Sequence, residues 1–343
     1  MIKKLNLPMP DGMSKKEIVE LLLKEEYGYL PEKPVSITAT VEETVDNFSA
    51  GKAEHKKIRL TCALDRGEFS FPVYYSCPID REKPIPCFVH INFRDLVPDI
   101  YQPTEEIIDA GYAVLSFCYK DVSSDDGDFS NGLAGVVYPD GQQTENGCGK
   151  IGLWAWAAMR VLDYAHTLPE LDHECISVCG HSRLGKTALL AGALDERFFC
   201  AFSNNSGNSG ASIARNNTGE TIKVITNVFP YWFCKGYKKY ADNESSMPFD
   251  QHFLIAANVP HRVYVASAAR DEWACPPNEY RSCIPASSYY KNSGLNGFVY
   301  PEREAQIGDF FGEGHIGYHL RGGTHYLSRE DWQQYIRYIN MHR

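Results

Sequence analysis

The residue types best suited to chemistry lie in segment 178–186, where one serine stands between a short apolar strand and a predicted helix. The strand ends near Cys179, and Gly180 precedes Ser182 by two positions. A sharp turn of this kind lifts a serine hydroxyl above the edge of a sheet, and the next backbone N–H can face a developing oxyanion. The pattern therefore predicts nucleophilic attack by Ser182 on an acyl carbon.

The turn departs at one position from the usual motif of such serines, G-x-S-x-G. Leu184 occupies the place of the second glycine, and Gly185 follows one residue later. The alternative interpretation is that Ser182 only caps a helix over 184–194, because serine is a favoured N-cap residue. A nucleophile needs two partners elsewhere in the chain, so the presence of those partners distinguishes the two interpretations.

An acid and a histidine are available in the required chain order of serine, acid and histidine. Asp271 lies in the loop after one predicted apolar strand, and His325 lies in a glycine-rich turn after the next. We expect His325 to take the proton of Ser182, while Asp271 fixes the imidazole tautomer and stabilises the imidazolium. The neighbouring Glu272 is the alternative acid.

The elements that must position these residues alternate between strand and helix from Pro86 onward. Such alternation predicts an α/β protein of the α/β-hydrolase fold, with a mostly parallel central sheet and helices on both faces. Residues 1–80 are expected to add an N-terminal helix and antiparallel strands of the same sheet. We predict one domain over 1–343, in which the aromatic-rich insertion 205–255 forms a cap or a wall of the cleft, or packs as core.

Composition narrows the classes of partner. The net charge of −10 argues against a nucleic-acid partner, and no stretch has the character of a membrane-binding segment. Eleven cysteines without a Cys-x-x-Cys pair favour a reducing compartment, and the N-terminus shows no signal peptide, so we expect a cytoplasmic protein. The alternative is a leader removed beforehand. The oligomeric state is left open.

Four aspartates in one loop could suggest calcium: Asp121, Asp125, Asp126 and Asp128. Their spacing does not reproduce a known cage of oxygen ligands, so we expect a solvated acidic loop. The sequence contains no zinc spacing either. We expect neither a metal nor a cofactor.

Beyond these residues, many segments match one known family, and the chain resembles the bacterial glucuronoyl esterases of carbohydrate esterase family 15. The resemblance extends over nearly the whole chain and is carried by residues 152–156, 160, 162–164, 182–186, 194–197, 206–207, 219–221, 249–252 and 271–273. It implies hydrolysis of the ester between a glucuronic acid carboxyl group and an alcohol, in a small molecule or an oligosaccharide. It also implies that Arg183 supports the oxyanion and that Lys186, Glu220 and Trp273 bind the sugar.

Simple chemistry is consistent with these roles. Lys186 follows the nucleophile by about one helical turn and would lie on the same face, where an ammonium can donate to hydroxyls. Trp273 offers a flat apolar face for a sugar ring. The alternatives are a surface lysine and a packed aromatic side chain. A guanidinium beside the serine is not easily buried without an anionic partner, and an oxyanion would serve Arg183 as one.

Two departures from the family bear on the site. Many relatives carry a catalytic glutamate at the position matched here by Asn205, and asparagine cannot act as that acid. The loop 92–96 also differs from its relatives, which leaves the exact ester open. Two other functions are therefore retained: an acetyl (xylan) or general short-chain carbohydrate esterase, and an inactive hydrolase-fold binding protein.

Overall fold

The computed structural model describes residues 6–343. The strands are β1 Ser36–Asn47, β2 Ala53–Leu64, β3 Gly67–Pro78, β4 Ile85–Asn92, β5 Ala113–Cys118, β6 Leu171–His181, β7 Cys200–Asn204, β8 Arg262–Ala268, β9 Phe310–Phe311 and β10 Ile316–Arg321. The helices are α1 Lys15–Leu22, α2 Phe48–Gly51, α3 Thr104–Asp109, α4 Tyr119–Val122, α5 Gly132–Val137, α6 Lys150–Ala165, α7 Arg183–Leu194, α8 Ile222–Val228, α9 His252–Ala256, α10 Pro276–Asn292 and α11 Arg329–His342.

All ten strands belong to one sheet, in the order β1-β2-β3-β5-β4-β6-β7-β8-β10-β9. The strands β5, β4, β6, β7, β8 and β10 run parallel, whereas β1, β2 and β3 pair in antiparallel fashion and β9 is an antiparallel edge. The predicted architecture, a mostly parallel sheet with an antiparallel N-terminal extension, is confirmed. Within this order β7 lies between β6 and β8, a position that matters for the site.

The two halves of the sheet differ in burial for a physical reason. Every residue of β4, β5 and β7 is buried, as expected when helices cover both faces of parallel strands. By contrast, β1 is almost wholly exposed and carries charged side chains, which suits an edge strand that must not pair with another chain. The sheet therefore has its core around the parallel strands that end at the site.

The N-terminal helix begins at a capping box, in which Ser14 and Glu17 satisfy each other's backbone N–H groups. The N-terminal helix expected within residues 1–80 is observed as α1, continued by one π-helical turn at Leu23–Tyr27. The helix α10 was not predicted. Its sequence has two prolines at the start and Pro285 inside, and an internal proline usually interrupts a helical pattern.

The insertion 205–255 contains α8, three short 3₁₀ turns and α9. Of its aromatic residues, Trp232, Phe233 and Tyr237 are buried in the main core, whereas Phe229 and Tyr231 are only partly buried. The single domain and the role of this insertion stay predictions. All eleven cysteines are buried free thiols. Across residues 6–343, no helix combines the length and the apolar character that crossing a membrane would require.

Candidate active site

The serine stands on a strained turn between β6 and α7. Ser182 has φ 58° and ψ −127°, a conformation that non-glycine residues adopt only where the surroundings enforce it. Its backbone N–H donates to the carbonyl oxygen of Asn204 at 2.8 Å. Within the described chain its side chain makes no capping hydrogen bond, although it occupies the N-cap position. The helix-cap interpretation of Ser182 therefore lacks its defining contact.

The spacing of the glycines follows from close backbone contacts. A Cβ at Gly180 would lie 2.2 Å from the carbonyl oxygen of Leu184, so only glycine fits before the turn. On the other side, a Cβ at Gly185 would lie 3.1 Å from the carbonyl oxygen of Asn204. The close approach of α7 to β7 thus falls at position 185, and Leu184 turns into the core instead.

The predicted acid, Asp271, and the predicted base, His325, are in contact. Oδ2 of Asp271 lies 2.6 Å from Nδ1 of His325 and accepts a second hydrogen bond, at 2.7 Å, from the side-chain amide of Asn205. Oδ1 of Asp271 accepts from the backbone N–H of Ala274 at 3.3 Å. The side chain of the alternative acid, Glu272, is exposed and makes no hydrogen bond in the described structure. The geometry thus favours Asp271 over Glu272.

Asp271 is buried, and His325 is partly exposed toward solvent. Burial alone would raise the pKa of Asp271, but the hydrogen bond and the charge of His325, together with the amide of Asn205, hold that pKa below its ordinary value. Asp271 is therefore an anion over the neutral pH range. An anionic partner on Nδ1 leaves Nε2 of His325 as the nitrogen that can accept a proton.

The predicted base contacts the residue that precedes the predicted nucleophile. The ring of His325 packs against His181, the residue before Ser182, with ring centroids 4.4 Å apart. In residues 6–343 the structure has no hydrogen bond between the Ser182 hydroxyl and His325. Catalytic hydrogen bonds are often loose without substrate and tighten in the complex.

Arg183 is partly buried and lies among aromatic side chains. Its guanidinium pairs with Asp125 and lies over the ring of Trp232, 4.6 Å from its centroid. Phe229 stacks on Trp232, and the guanidinium lies 5.3 Å from the Phe229 centroid. Nε of Arg183 has no hydrogen-bond partner within the described residues. The cation is thus fixed beside Ser182 by a single ion pair, and its Nε–H is a donor without an acceptor in the described structure.

The prediction of a solvated acidic loop is wrong for Asp125. This carboxylate is buried and accepts hydrogen bonds from the indole N–H of Trp232 at 2.8 Å and from the hydroxyl of Tyr119 at 3.0 Å. Asp126 and Asp128 do remain exposed, whereas Asp121 is partly buried. This difference could not be read from the local sequence, because two partners of Asp125, Arg183 and Trp232, lie far away in the chain.

Lys186, Glu220 and Trp273 form a connected group. The ammonium of Lys186 pairs with Glu220 Oε2 at 2.7 Å, and the indole N–H of Trp273 donates to Glu220 Oε1 at 3.2 Å. Lys186 and Glu220 are buried, whereas Trp273 is 49% exposed. Lys186 is therefore not a surface lysine, and Trp273 is not a packed core residue.

The expectation that Lys186 donates freely to hydroxyls needs correction. An ammonium has three protons, and in this structure Glu220 and the backbone carbonyls of Ser206 and Asn208 accept all three. A direct hydrogen bond from Lys186 to a sugar hydroxyl requires one of these three protons to be shared with its present acceptor. Glu220 retains unused lone pairs and Trp273 an exposed face, so these two side chains are the more available contacts.

Sequence reasoning missed three contributors to the site: Asp125, His181 and the supporting role of Asn205. From the sequence, Asn205 was singled out only because an asparagine cannot act as the catalytic acid. Its left-handed backbone, φ 45°, is a conformation that asparagine tolerates better than most residues. Its position therefore suits an asparagine for conformational as well as chemical reasons.

Comparison with known proteins gives curated relatives of similar sequence. Carbohydrate esterase MZ0003, from an unknown prokaryotic organism, is 38% identical over 243 residues, which cover 69% of this chain and 55% of the relative. A 4-O-methyl-glucuronoyl methylesterase of Podospora anserina is 28% identical over 268 residues, covering 75% of this chain and 51% of the relative. The chain thus spans about half the length of these curated relatives.

Solved structures agree over the whole chain. A promiscuous CE15 esterase from the marine bacterial metagenome has a TM-score of 0.87 at 27% identity, covering 100% of this chain and 98% of the other. A glucuronoyl esterase from Solibacter usitatus has a TM-score of 0.89 at 26% identity, with 99% and 98% covered. The α/β-hydrolase fold is thereby confirmed. Because the family model described as glucuronyl esterase, fungi, also matches residues 60–294, more than half of the chain, this protein belongs to the glucuronoyl esterase family.

Proposed function

We propose that the protein is a serine carboxylic-ester hydrolase that cleaves esters of glucuronic acid in small molecules or oligosaccharides. The observation that carries the proposal is the contact of Asp271 with His325 at 2.6 Å, beside the strained turn of Ser182. An inactive binding protein would not require this costly arrangement. Relatives named as glucuronoyl methylesterases support the same reaction class.

In the proposed reaction, Ser182 Oγ forms a bond to the ester carbonyl carbon and passes its proton to Nε2 of His325. The tetrahedral intermediate then collapses: the bond to the alcohol oxygen breaks, and the alcohol leaves with the proton from His325. Water next attacks the acyl-enzyme, again giving a proton to His325, and the departing Ser182 oxygen recovers it. The products are the free glucuronic acid and the alcohol.

The oxyanion of each tetrahedral step needs donors on the side of α7. The backbone N–H of Arg183 is the first of the helix and has no acceptor in the described residues. The guanidinium adds a positive charge whose position Asp125 and Trp232 fix in advance. Because these groups need not reorganise during the reaction, they stabilise the transition state more than the ground state.

The sugar part of the substrate is assigned to Glu220 and Trp273. The carboxylate of Glu220 can accept from sugar hydroxyls, and the exposed indole offers a face for the ring. Lys186, whose protons are engaged, holds the carboxylate of Glu220 in place. A site for a simple acetyl group has no need of this group of three, which favours a glucuronoyl over an acetyl substrate.

Hydrolysis of benzyl glucuronate, compared with p-nitrophenyl acetate, tests the proposal. We expect the native protein to prefer the glucuronate and Ser182→Ala to lose about 10⁶ in turnover on both substrates. Glu220→Gln should lose activity on the glucuronate only. Activity confined to the acetate would assign the protein to the short-chain esterases, and near-native turnover of a folded Ser182→Ala protein would refute the mechanism.

We also propose a reducing, cytoplasmic location. The eleven buried free thiols support this, since secreted proteins commonly oxidise such residues to disulfides. Separating the cytoplasm of the producing cells from secreted material and probing both for the protein tests the location. Recovery from the secreted material alone would refute it.

A further inference from the structure

The end of β7 contacts Ser182 and Asp271 directly and is connected to His325 through His181. In the sheet order, β7 lies between β6, which leads to Ser182, and β8, which leads to Asp271. Among the parallel strands, it alone pairs with both of these. Its last residue is Asn204, and Asn205 follows it directly.

Asn204 holds the nucleophile through its backbone and reaches toward the base through its side chain. Its carbonyl oxygen accepts the N–H of Ser182 at 2.8 Å. Its Oδ1 lies 2.6 Å from Nδ1 of His181, and because an amide oxygen only accepts, that nitrogen carries the proton. The ring of His181 in turn packs on that of His325. His181 is fully buried, and burial, with the nearby His325, lowers its pKa to about 3, so it stays neutral.

Asn205 acts on the acid. Its amide Nδ2 donates to Asp271 Oδ2 at 2.7 Å, the same oxygen that contacts His325. The backbone N–H of Asn205 donates to the carbonyl of Ala266 in β8 at 2.8 Å, which fixes the side chain relative to the acid loop. A donor at this point stabilises the ionised carboxylate, whereas a second carboxylate would oppose its charge.

We propose that Asn204 and Asn205 are positioning residues, through which one strand end keeps Ser182, His325 and Asp271 in mutual alignment. Neither side chain touches substrate, and each acts through another residue. The inference rests on the proposed esterase function. It differs from that function because it assigns roles to two residues outside the triad and the oxyanion donors.

Two substitutions of Asn205 separate a donor from a packing role. Asp is isosteric with Asn and also tolerates a left-handed backbone, but it replaces the donor with a charged acceptor. Gly suits the backbone and removes the whole side chain. If the donor matters, Asn205→Asp lowers kcat more than Asn205→Gly. If only packing matters, the order is reversed.

The measurement is kcat and KM on p-nitrophenyl acetate and on benzyl glucuronate, with thermal unfolding of each protein. For Asn205→Asp we expect kcat to fall by on the order of 10- to 100-fold on both esters, with KM changed less than about twofold, since a hydrogen bond to a charged group is lost. Asn205→Gly should lose about three- to tenfold in kcat, the net value of a typical hydrogen bond. Asn204→Leu, which removes the contact to His181, should likewise lower kcat and leave KM unchanged.

Asn258→Asp is the matched control. Asn258 is as buried as Asn205, but its amide donates to the carbonyls of Leu189 and Leu254, away from the triad. This variant should unfold at a lower temperature with kcat near native. The inference is overturned if Asn205→Asp keeps more than half of native kcat, if the loss lies in KM, or if Asn205→Gly is the more impaired.

Two further outcomes are defined in advance. If Asn205→Asp does not fold, Asn205→Gly decides: a drop in kcat alone supports the inference, and native kcat overturns it. If the native protein hydrolyses neither ester, the proposed function itself fails. A failure of the inference, by contrast, is seen only in the variants, with the native protein active. The two failures are therefore distinguishable from the native control alone.

Discussion

Asp271→Asn is the substitution whose cost the geometry around His325 determines most closely. Oδ2 of Asp271 accepts from two donors, His325 and Asn205, and Oδ1 accepts only from the Ala274 N–H at 3.3 Å. An asparagine has one oxygen to place. If this oxygen takes the Oδ2 position, it accepts hydrogen bonds from His325 and Asn205. If it takes the Oδ1 position, it accepts only the long hydrogen bond from the Ala274 N–H. We therefore expect the oxygen to keep facing His325, so that the imidazole keeps its tautomer.

The expected fall in turnover then follows from the loss of the carboxylate charge alone. Where the same substitution leaves the imidazole in the wrong tautomer, turnover falls by about 10⁴. Here the loss is the attraction between carboxylate and imidazolium in the transition state. For charges about 4 Å apart at an effective dielectric of about 20, this is about 4 kcal/mol, which corresponds to about 10³ in rate. We expect kcat to fall by about 10³ with little change in KM.

Steady-state kinetics on benzyl glucuronate check this value, with Glu272→Gln as the control for the neighbouring carboxylate. In the double variant Asp271→Asn/Asn205→Gly, one of the two donors that hold the amide oxygen is gone, so the amide can turn and the loss should approach 10⁴. A loss of 10⁴ in the single variant, with no further loss in the double one, would refute the reasoning. A severe loss in Glu272→Gln would move the acid by one residue.

Three other substitutions have defined outcomes. Asp125→Asn should lower kcat by about tenfold and reduce thermal stability, because it leaves the guanidinium of Arg183 without its anion; unchanged kinetics would remove Asp125 from the site. Trp273→Ala should raise KM for glucuronate by about tenfold through lost ring contact and leave p-nitrophenyl acetate kinetics unchanged. Burial raises the pKa of Glu279 from 4.5 to about 8, so its contribution to stability is complete below pH 4.5 and is lost as pH rises through about 8. Glu279→Gln stays neutral, so urea unfolding at pH 5 and pH 8 should show a smaller decrease in stability for this variant than for the native protein.

The parallel half of the fold could be predicted because its strands are continuous apolar runs. Strands β4, β5 and β8 were identified from such runs, and the helices between them from their spacing. The antiparallel extension was identified from alternation of polar and apolar residues. Two short helices, α4 and α5, lie in and after the acidic loop of Asp121, Asp125, Asp126 and Asp128, and neither was predicted. Each has six residues or fewer, too few to show a helical period.

The chain positions of the triad were predictable for a different reason. In this fold the serine, acid and histidine follow particular strands, so strand ends are sufficient to nominate Ser182, Asp271 and His325. Their supports are not tied to chain order. Asp125 approaches Arg183 across a sequence separation of 58 residues, in a loop with several equivalent aspartates. Nothing local distinguishes Asp125 from its neighbours.

Asn205 shows what sheet order adds to chain order. In the sequence, position 205 was notable only because an asparagine stands where many relatives carry a glutamate. In the sheet, β7 separates the strands that deliver the nucleophile and the acid, so a side chain at its end reaches both loops. A carboxylate there would compete with Asp271 for His325, because like charges so close cannot both ionise readily. An amide donates to Asp271 instead. The amide at position 205 and the carboxylate at position 271 are therefore parts of the same electrostatic arrangement.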